Sequence, residues 1–347
     1  MKKISVGVSG GVDSAATVLM LKELGYEVYG VRFAVNQTDY RNNLLDNSNL
    51  SERLDIEINE VDITQTFEKK IITPFIDSYL SGRTPSPCVE CNCSIKWDVI
   101  EQNGAKIGAQ NWATGHYARV VEHNGLYYVA KGVDPVKDQS YYLWQLSQST
   151  LKGAIMVLGD KRKEQIKEFM FKKGYRELSS KKESMGVCFL GRGGYKELLK
   201  SRVDNIERLE GGEIVDRDGR VVGRHDGYPF YTLAQRKGLG LVRPNCVVAV
   251  DSERNRLIVG DENELYCSTF RVKNYKFVCL DEVMDSKRLE VKVRGVGWNP
   301  EGYCKVDIVD GNSLIVNLLS SRAWAVSSGQ PVVFYIDDRV VGGGYII

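Results

Sequence analysis

Ile4-Ser5-Val6-Gly7-Val8-Ser9-Gly10-Gly11-Val12-Asp13-Ser14 is the stretch that decides the fold. Residues 4–8 form a short apolar run suited to a buried strand, and a glycine-rich turn follows it. Ala15 to Leu24 then carries apolar residues at helical spacing and stops at Gly25, a residue that accepts the left-handed conformation in which helices end. Glu27 to Phe33 reads as a second strand. Strand, loop, helix and strand in that order open a parallel α/β sheet.

Downstream of this unit, residues 36–52 are polar and Asn-rich and read as a loop or a weak helix. Leu54 to Val61 suits a strand, and Phe67 to Leu80 has helical spacing. Gly82 to Pro87 is a turn, and Cys91 to Ile100 opens the next helix. Trp112 to Gly115 is the end of a buried strand, and residues 161–174 are a charged amphipathic helix. The α/β texture stops near residue 205. From Gly211 onward short apolar runs alternate with Gly, Asp and Asn turns, as in Val247 to Val250, Leu257 to Val259, Leu289 to Val293, Ser313 to Val316 and Pro331 to Ile336. These are hairpin signals without intervening helices. The expected organisation is an α/β catalytic domain over residues 1–205, a small central linker domain over 206–264 and a C-terminal β-barrel over 265–347.

Composition sets limits on function. The 347 residues are too many for one comfortable core. Hydrophobic residues at 43% and charged residues at 27% are ordinary for a globular protein, and a net charge of +2 leaves nucleic-acid binding to local patches. No apolar run approaches the roughly 20 residues that span a bilayer, so no membrane association is expected. Eight cysteines in a chain of this length, without a secretion signal, point to thiols in a reducing cytoplasm.

Ser9 to Ser14 lies between a strand and a helix. Glycines let the backbone approach an anion, and the amides that start a helix point at it with the helix dipole behind them. Ser9 and Ser14 add hydroxyl donors. Asp13 is out of place beside a phosphate unless a magnesium ion lies between them. The string lacks the lysine of a Walker loop and the spacing of a dinucleotide fingerprint. It resembles the loop of the ATP pyrophosphatases, which cleave ATP between its α and β phosphates.

Thr84-Pro85-Ser86-Pro87-Cys88-Val89-Glu90-Cys91-Asn92 is the second signal. Two prolines fix the backbone ahead of Cys88. Cys91 falls where a helix is expected to begin, a position that favours a thiolate and hence nucleophilic sulfur chemistry. Far downstream, Glu183-Ser184-Met185-Gly186-Val187-Cys188-Phe189 sets another cysteine among small and apolar residues. Other readings of these cysteines stay open. Cys-x-x-Cys is half of a structural zinc site, to which Cys93 and Cys188 could add, though no second paired motif follows. An iron–sulfur cluster on Cys88, Cys91 and Cys188 is a further option, and Cys188 alone also suits a small buried hydrophobe. His116 and His225 read as satisfied buried histidines, and neither is assigned a catalytic role.

Six motifs in order resemble the bacterial tRNA 2-thiouridylases. They are Ser9 to Ser14, Gly82 to Asn92, Ala113-Thr114-Gly115-His116-Tyr117-Ala118-Arg119, Lys137-Asp138-Gln139-Ser140-Tyr141, Glu183 to Phe189 and Gln235-Arg236-Lys237-Gly238-Leu239-Gly240. Gly342-Gly343-Gly344 closes the chain as in that family. The resemblance covers nearly the whole chain and implies a nucleotide alpha-hydrolase-like fold for the first domain. It implies ATP binding by Gly7, Val8, Ser9, Gly10, Gly11, Val12, Asp13 and Ser14, with Phe33 and Gly115 at the adenine and magnesium as the companion ion. It implies that Cys91 is a nucleophile and that Cys188 carries a persulfide, charged by a sulfur-relay or cysteine desulfurase protein. It implies tRNA contacts at Ser86, Pro87, Cys88, Lys137, Asp138, Gln139, Arg294 and Gly295. The implied reaction replaces the C2 oxygen of uridine 34 in the anticodon loop by sulfur.

The chain also departs from the family. Phe33 stands where Met is usual, Met185 where Gln is common, Ala234 for Gly, and Gly295 and Gly297 for Tyr and Gln. Ala34 to Leu50 lacks the usual cysteine-and-acid stretch, and Cys88 takes a position that is Asp in some members. The ATP and sulfur motifs are intact. The departures fall partly on RNA contacts, as in a diverged paralogue with its own tRNA set. Two other classes fit less well: an amidating synthetase, for which no glutaminase motif is seen, and a non-catalytic RNA-binding module, which has no use for the cysteine pair.

Overall fold

The computed structural model describes residues 1–35, 49–180, 186–191, 193–241 and 245–347. The expectations for most of the Asn-rich segment, residues 36–48, and for Glu183-Ser184-Met185 lie outside the described residues. The chain divides into two compact units. The first comprises Met1–Ile72, Cys88–Met185 and Tyr335–Gly342. The second comprises Thr73–Pro87, Gly186–Phe334 and Gly343–Ile347.

In the first unit, β1 (Lys2–Gly7) leads through the glycine loop into α1 (Val12–Glu23), and β2 (Tyr26–Ala34) follows. With β3 (Glu57–Asp62), β4 (Asn111–Ala113) and, after a hairpin of β5 (Ala118–His123) and β6 (Leu126–Lys131), β7 (Ala154–Ile155), the chain builds a parallel sheet ordered β3-β2-β1-β4-β7. The parallel α/β expectation therefore holds. Ile4, Val6 and Val8 are buried, as a central parallel strand covered on both faces requires. They pack with Ala15, Val18 and Leu21 of α1 and with Ile166 and Met170 of the helix Lys163–Lys172.

Boundaries near the first helix and the third strand differ from the expected ones. The first helix starts at Val12 rather than Ala15, because the uncapped Gly11 already accepts from the Ala15 amide at 3.1 Å. Asp13 and Ser14 thus belong to both loop and helix. The strand expected from Leu54 starts at Glu57, and Ser51 to Leu54 are helical, with Leu54 and Ile56 turned into the core. Gly25 ends the first helix with φ +82°, as expected. The helix expected over Phe67 to Leu80 is interrupted by a π turn, Glu68–Ile72, just before Pro74. Proline has no N–H for the carbonyl four residues back, and the widened turn accommodates that loss.

The β5–β6 hairpin was not foreseen, although its turn is Asn124-Gly125 with φ +52° and +76°, the pair that two-residue hairpin turns favour. Gly159 lies against β5 so closely that a Cβ there would be 1.9 Å from the Ala118 carbonyl oxygen.

In the second unit, Gly212–Val215, Val221–His225, Cys246–Asp251 and Arg256–Gly260 form a four-stranded sheet. Its Ile214, Val247, Leu257 and Val259 pack with Phe75, Tyr79, Leu199 and Phe230. Tyr79 stacks on Tyr195 at 4.4 Å between ring centres. Further on, Thr269–Phe277, Ser313–Leu318 and Cys304–Asp310 make an antiparallel ladder, and Pro331–Ile336 is buried along its length. Each of the five apolar runs expected as strands forms one.

Gly159→Ala should lower the unfolding free energy by ~1–3 kcal/mol through overpacking against a backbone oxygen that cannot move aside. Chemical denaturation of the full chain reads this as a lower midpoint, and an unchanged midpoint would contradict the packing described.

Candidate active site

In the parallel sheet, β1 is flanked by β2 on one side and β4 on the other. The crossovers diverge there, and such a switch point opens a crevice beyond the carboxyl ends of the strands, where ligands of α/β folds settle. Ser9 to Ser14 leaves β1 at that place, and Thr114-Gly115-His116 leaves β4. A Cβ on Gly115 would come within 3.1 Å of the Asp13 carbonyl carbon and the Ser14 nitrogen, so a side chain there would push the loop backbone back by a few tenths of an ångström. Phe33 lies near the same end of β2, half-buried.

The loop is braced from within. Gly10 has φ +76°. The Ser9 amide donates to Ser14 Oγ at 3.1 Å, the Ser14 hydroxyl donates to the Gly11 carbonyl at 3.1 Å, and the Gly11 amide donates to Ser9 Oγ at 3.4 Å. No side chain caps α1, so its first amides have no intrahelical acceptor and face the space ahead of the helix. Uncapped amides beyond a strand end, here after Gly7 and Val8, form a cradle of the kind that suits an anion.

Asp13 is not open toward that cradle. Lys163 Nζ lies 2.7 Å from both Asp13 carboxylate oxygens, and the Tyr117 hydroxyl donates to Oδ1 at 2.8 Å. The Lys163 side chain is only 5% exposed. Its backbone N–H donates to Asp134 Oδ2 at 2.9 Å. Sequence reading placed Lys163 in a charged amphipathic helix and gave it no role. His116 is buried, bonded to Thr114 Oγ1 at 2.7 Å and stacked near Trp97. Burial, with Lys96 nearby, pushes its pKa well below the usual imidazole value, so it is neutral. Buried His225 accepts from the Gly227 amide at 3.0 Å.

The clustered cysteines separate by environment. The short helix Pro87–Cys91 begins at Pro87, a residue suited to a first helical position, so Cys91 lies a turn inside the helix rather than at its start. The helix-start argument for Cys91 therefore does not hold. Cys88 and Cys91, three apart, share a helix face, and both are half-buried. A π turn, Asn92–Lys96, follows directly, and Asn92 is buried with its amide donating to the Tyr142 carbonyl at 3.1 Å. Cys93 donates to Gln145 Oε1 at 3.0 Å, and burial pushes its thiol up to about 12. Cys188 is exposed on a turn, which removes the reading of it as a buried hydrophobe. Its neighbour Phe189 packs edge-on against Phe75 at 5.2 Å. Cys91 belongs to the first unit and Cys188 to the second.

The residues expected to meet tRNA are held in defined loops. The Thr84 and Pro85 carbonyls, ahead of half-buried Ser86 and buried Pro87, accept from Gln330 Nε2 at 2.9 and 3.0 Å. Asp138 turns inward to the amides of Gly132 and Ser140. Gln139 brackets Tyr117, its Oε1 accepting from the Tyr117 amide at 3.0 Å and its own amide donating to the Tyr117 carbonyl at 2.9 Å. Half-buried Lys137 stands beside Val136, which is 85% exposed. Arg294 donates to the Trp324 and Ala325 carbonyls and lies over the Trp324 ring, next to half-buried Gly295. Gln330 is an addition that no motif announced.

Among the described residues, no three His, Cys, Asp or Glu side chains converge closely enough to hold a metal ion. Asp13, the carboxylate expected to meet magnesium, is engaged by Lys163. That carboxylate does not fit a protein-held magnesium ion while the ion pair stands, and no step below passes through a metal ion or an iron–sulfur cluster.

Thiol labelling at neutral pH should sort the cysteines. Cys188 should alkylate first, while Cys93 and Cys304, both pushed to about 12 by burial, should stay unlabelled until the chain unfolds. Peptide mass spectrometry reads the order, and early labelling of Cys93 would contradict it.

The chain matches the family models for a tRNA methyl transferase HUP domain over residues 2–192, a tRNA methyl transferase PRC-barrel domain over 200–261 and an aminomethyltransferase beta-barrel domain over 267–346. It is 37% identical to a tRNA-specific 2-thiouridylase of Phocaeicola vulgatus, covering 99% of this chain and 94% of that protein. It is 35% identical to one of Clostridium tetani, covering 99% and 96%. It is 38% identical to one of Amoebophilus asiaticus, covering 100% and 96%. Likeness of this degree along essentially the full length of both partners shows that the chain belongs to the tRNA-specific 2-thiouridylase family.

Proposed function

We propose that this protein is an ATP-dependent tRNA-uridine 2-sulfurtransferase that exchanges the C2 oxygen of uridine 34 for sulfur. The observation that carries the reading is the anion cradle at the switch point of the parallel sheet, in a chain 35–38% identical over its length to proteins named for that thiolation. A carbonyl oxygen is a poor leaving group. Attack by the uracil C2 oxygen on the α phosphate of ATP expels pyrophosphate and leaves an O-adenylated base, from which AMP departs readily.

Sulfur arrives as a persulfide on Cys188, whose exposure suits reloading by a donor protein. The terminal sulfur attacks C2 and AMP leaves with the oxygen. The Cys91 thiolate then attacks the Cys188 sulfur, which frees the new thiocarbonyl and forms a Cys91–Cys188 disulfide. An external dithiol reduces that disulfide before the next turnover. Alternatively, Cys91 releases the sulfur as hydrogen sulfide before attack. Because a stacked anticodon base cannot reach the cradle, uridine 34 leaves the stack, and Ser86, Pro87, Cys88, Lys137, Asp138 and Gln139 are assigned to the displaced base and its loop. Arg294 and Gly295 are assigned to the RNA backbone. Residues 1–205 serve as the ATP domain, 206–264 as the linker and 265–347 as the RNA-gripping barrel. Among the described residues no helix is long and apolar enough to cross a membrane, and we place the enzyme in the cytoplasm, where its thiols stay reduced.

The reaction is tested by incubating the full chain with unmodified tRNA, ATP, magnesium and a persulfide donor, with nucleoside mass spectrometry as the readout. 2-Thiouridine should form and should be lost with Cys91→Ser and with Cys188→Ser. Wild-type product from the doubly substituted protein would overturn the reading. Gly115→Ala should raise the ATP KM roughly tenfold by pushing the loop backbone aside, measured as pyrophosphate release. An unaltered KM would move the nucleotide away from this crevice.

A further inference from the structure

We infer that Lys163 is a positioning residue for the ATP step: its buried ammonium holds the Asp13 carboxylate and cancels its charge, so that a triphosphate can settle on a loop that carries an acid. The inference rests on the ATP reading above.

A carboxylate within an anion loop repels the ligand at close range. Two devices remove that repulsion: a metal ion between acid and phosphate, or a counter-charge supplied by the protein. This chain supplies the second. Both Asp13 oxygens are 2.7 Å from Lys163 Nζ, and Tyr117 adds a hydrogen bond at 2.8 Å. The Lys163 side chain is 5% exposed and that of Asp13 is 33% exposed, so solvent and salt screen the lysine little.

The position of Lys163 supports a dedicated role. It opens the helix Lys163–Lys172, where the dipole disfavours a cation. An ammonium kept there needs a partner, and Asp13 is that partner. Both groups that grip Asp13 are themselves tied to one loop, Lys163 through Asp134 Oδ2 and Tyr117 through Gln139. The phosphate loop is thus held at its acidic residue by two fixed points, and both trace to residues 134–139.

Calorimetric titration of the full chain with ATP and magnesium tests this. Lys163→Met should weaken ATP binding at least roughly tenfold, a step of about 1.4 kcal/mol. In Asp13→Asn/Lys163→Met, where neither charge remains, most of the affinity should return. Should Lys163→Met not fold by circular dichroism, Lys163→Gln replaces it, since it can hydrogen-bond Asp13 without charge, and the same outcomes decide. Wild-type affinity in the folded single variant, with only the melting temperature lowered, would reduce Lys163 to a structural group and overturn the inference. A double variant that binds no better than the single one would also overturn it, by making Lys163 a direct phosphate ligand. If the unaltered protein does not bind ATP, the ATP reading itself fails.

Discussion

The glycine loop between β1 and α1 carries an acid, Asp13, whose carboxylate is held by the buried ammonium of Lys163. Much of the first unit bears on where that ion pair stands. The helix Lys163–Lys172 packs through Ile166 and Met170 into the core under α1, which fixes where its first residue stands. Tyr117 follows the β4 end and reaches the same carboxylate. Gly115, two residues earlier, lets that segment close on the loop backbone. Loop, helix start and strand end are therefore one assembly, and a substitution in any of them acts on the other two.

The sulfur chemistry depends on telling cysteines apart. Burial pushes the thiols of Cys93 and Cys304 to about 12 and raises those of Cys246 and Cys267 as well. Such groups stay protonated and inert at physiological pH. Cys188 is exposed on its turn, with Phe189 anchoring the backbone into the core beside Phe75. Cys88 and Cys91 share the face of a short helix whose start is set by Pro87. The proposed persulfide transfer needs reactive thiols at chosen places and unreactive ones elsewhere, and burial sets Cys93 and Cys304 apart from exposed Cys188.

Much of the architecture was legible from residue pattern alone. Ser9 to Ser14 announced its place between strand and helix because glycines and hydroxyls there have few other uses. The alternating runs beyond Gly211 announced a strand-rich region for the same local reason, although a short helix that was not expected, Leu280–Asp285, interrupts it. What escaped depended on tertiary partners. Lys163 sits among Asp160, Lys161 and Arg162, and nothing local marks it as the buried one. The start of the Cys91 helix was misplaced because the influence of Pro87 was read as ending the turn rather than opening the helix. The β5–β6 hairpin was a different failure, since Asn124-Gly125 carried the signal in plain view. Gln330, which secures the Thr84–Pro85 carbonyls, is a contact across 246 residues that only folding reveals.

In the proposed reaction ATP activates the C2 oxygen of the base itself. The most direct measurement follows that oxygen: tRNA carrying heavy oxygen at C2 of uridine 34 is thiolated, and the nucleotide products are analysed by mass spectrometry. The account predicts the heavy oxygen in AMP, one for each 2-thiouridine formed. Heavy oxygen in pyrophosphate or in water, with unlabelled AMP, would contradict it.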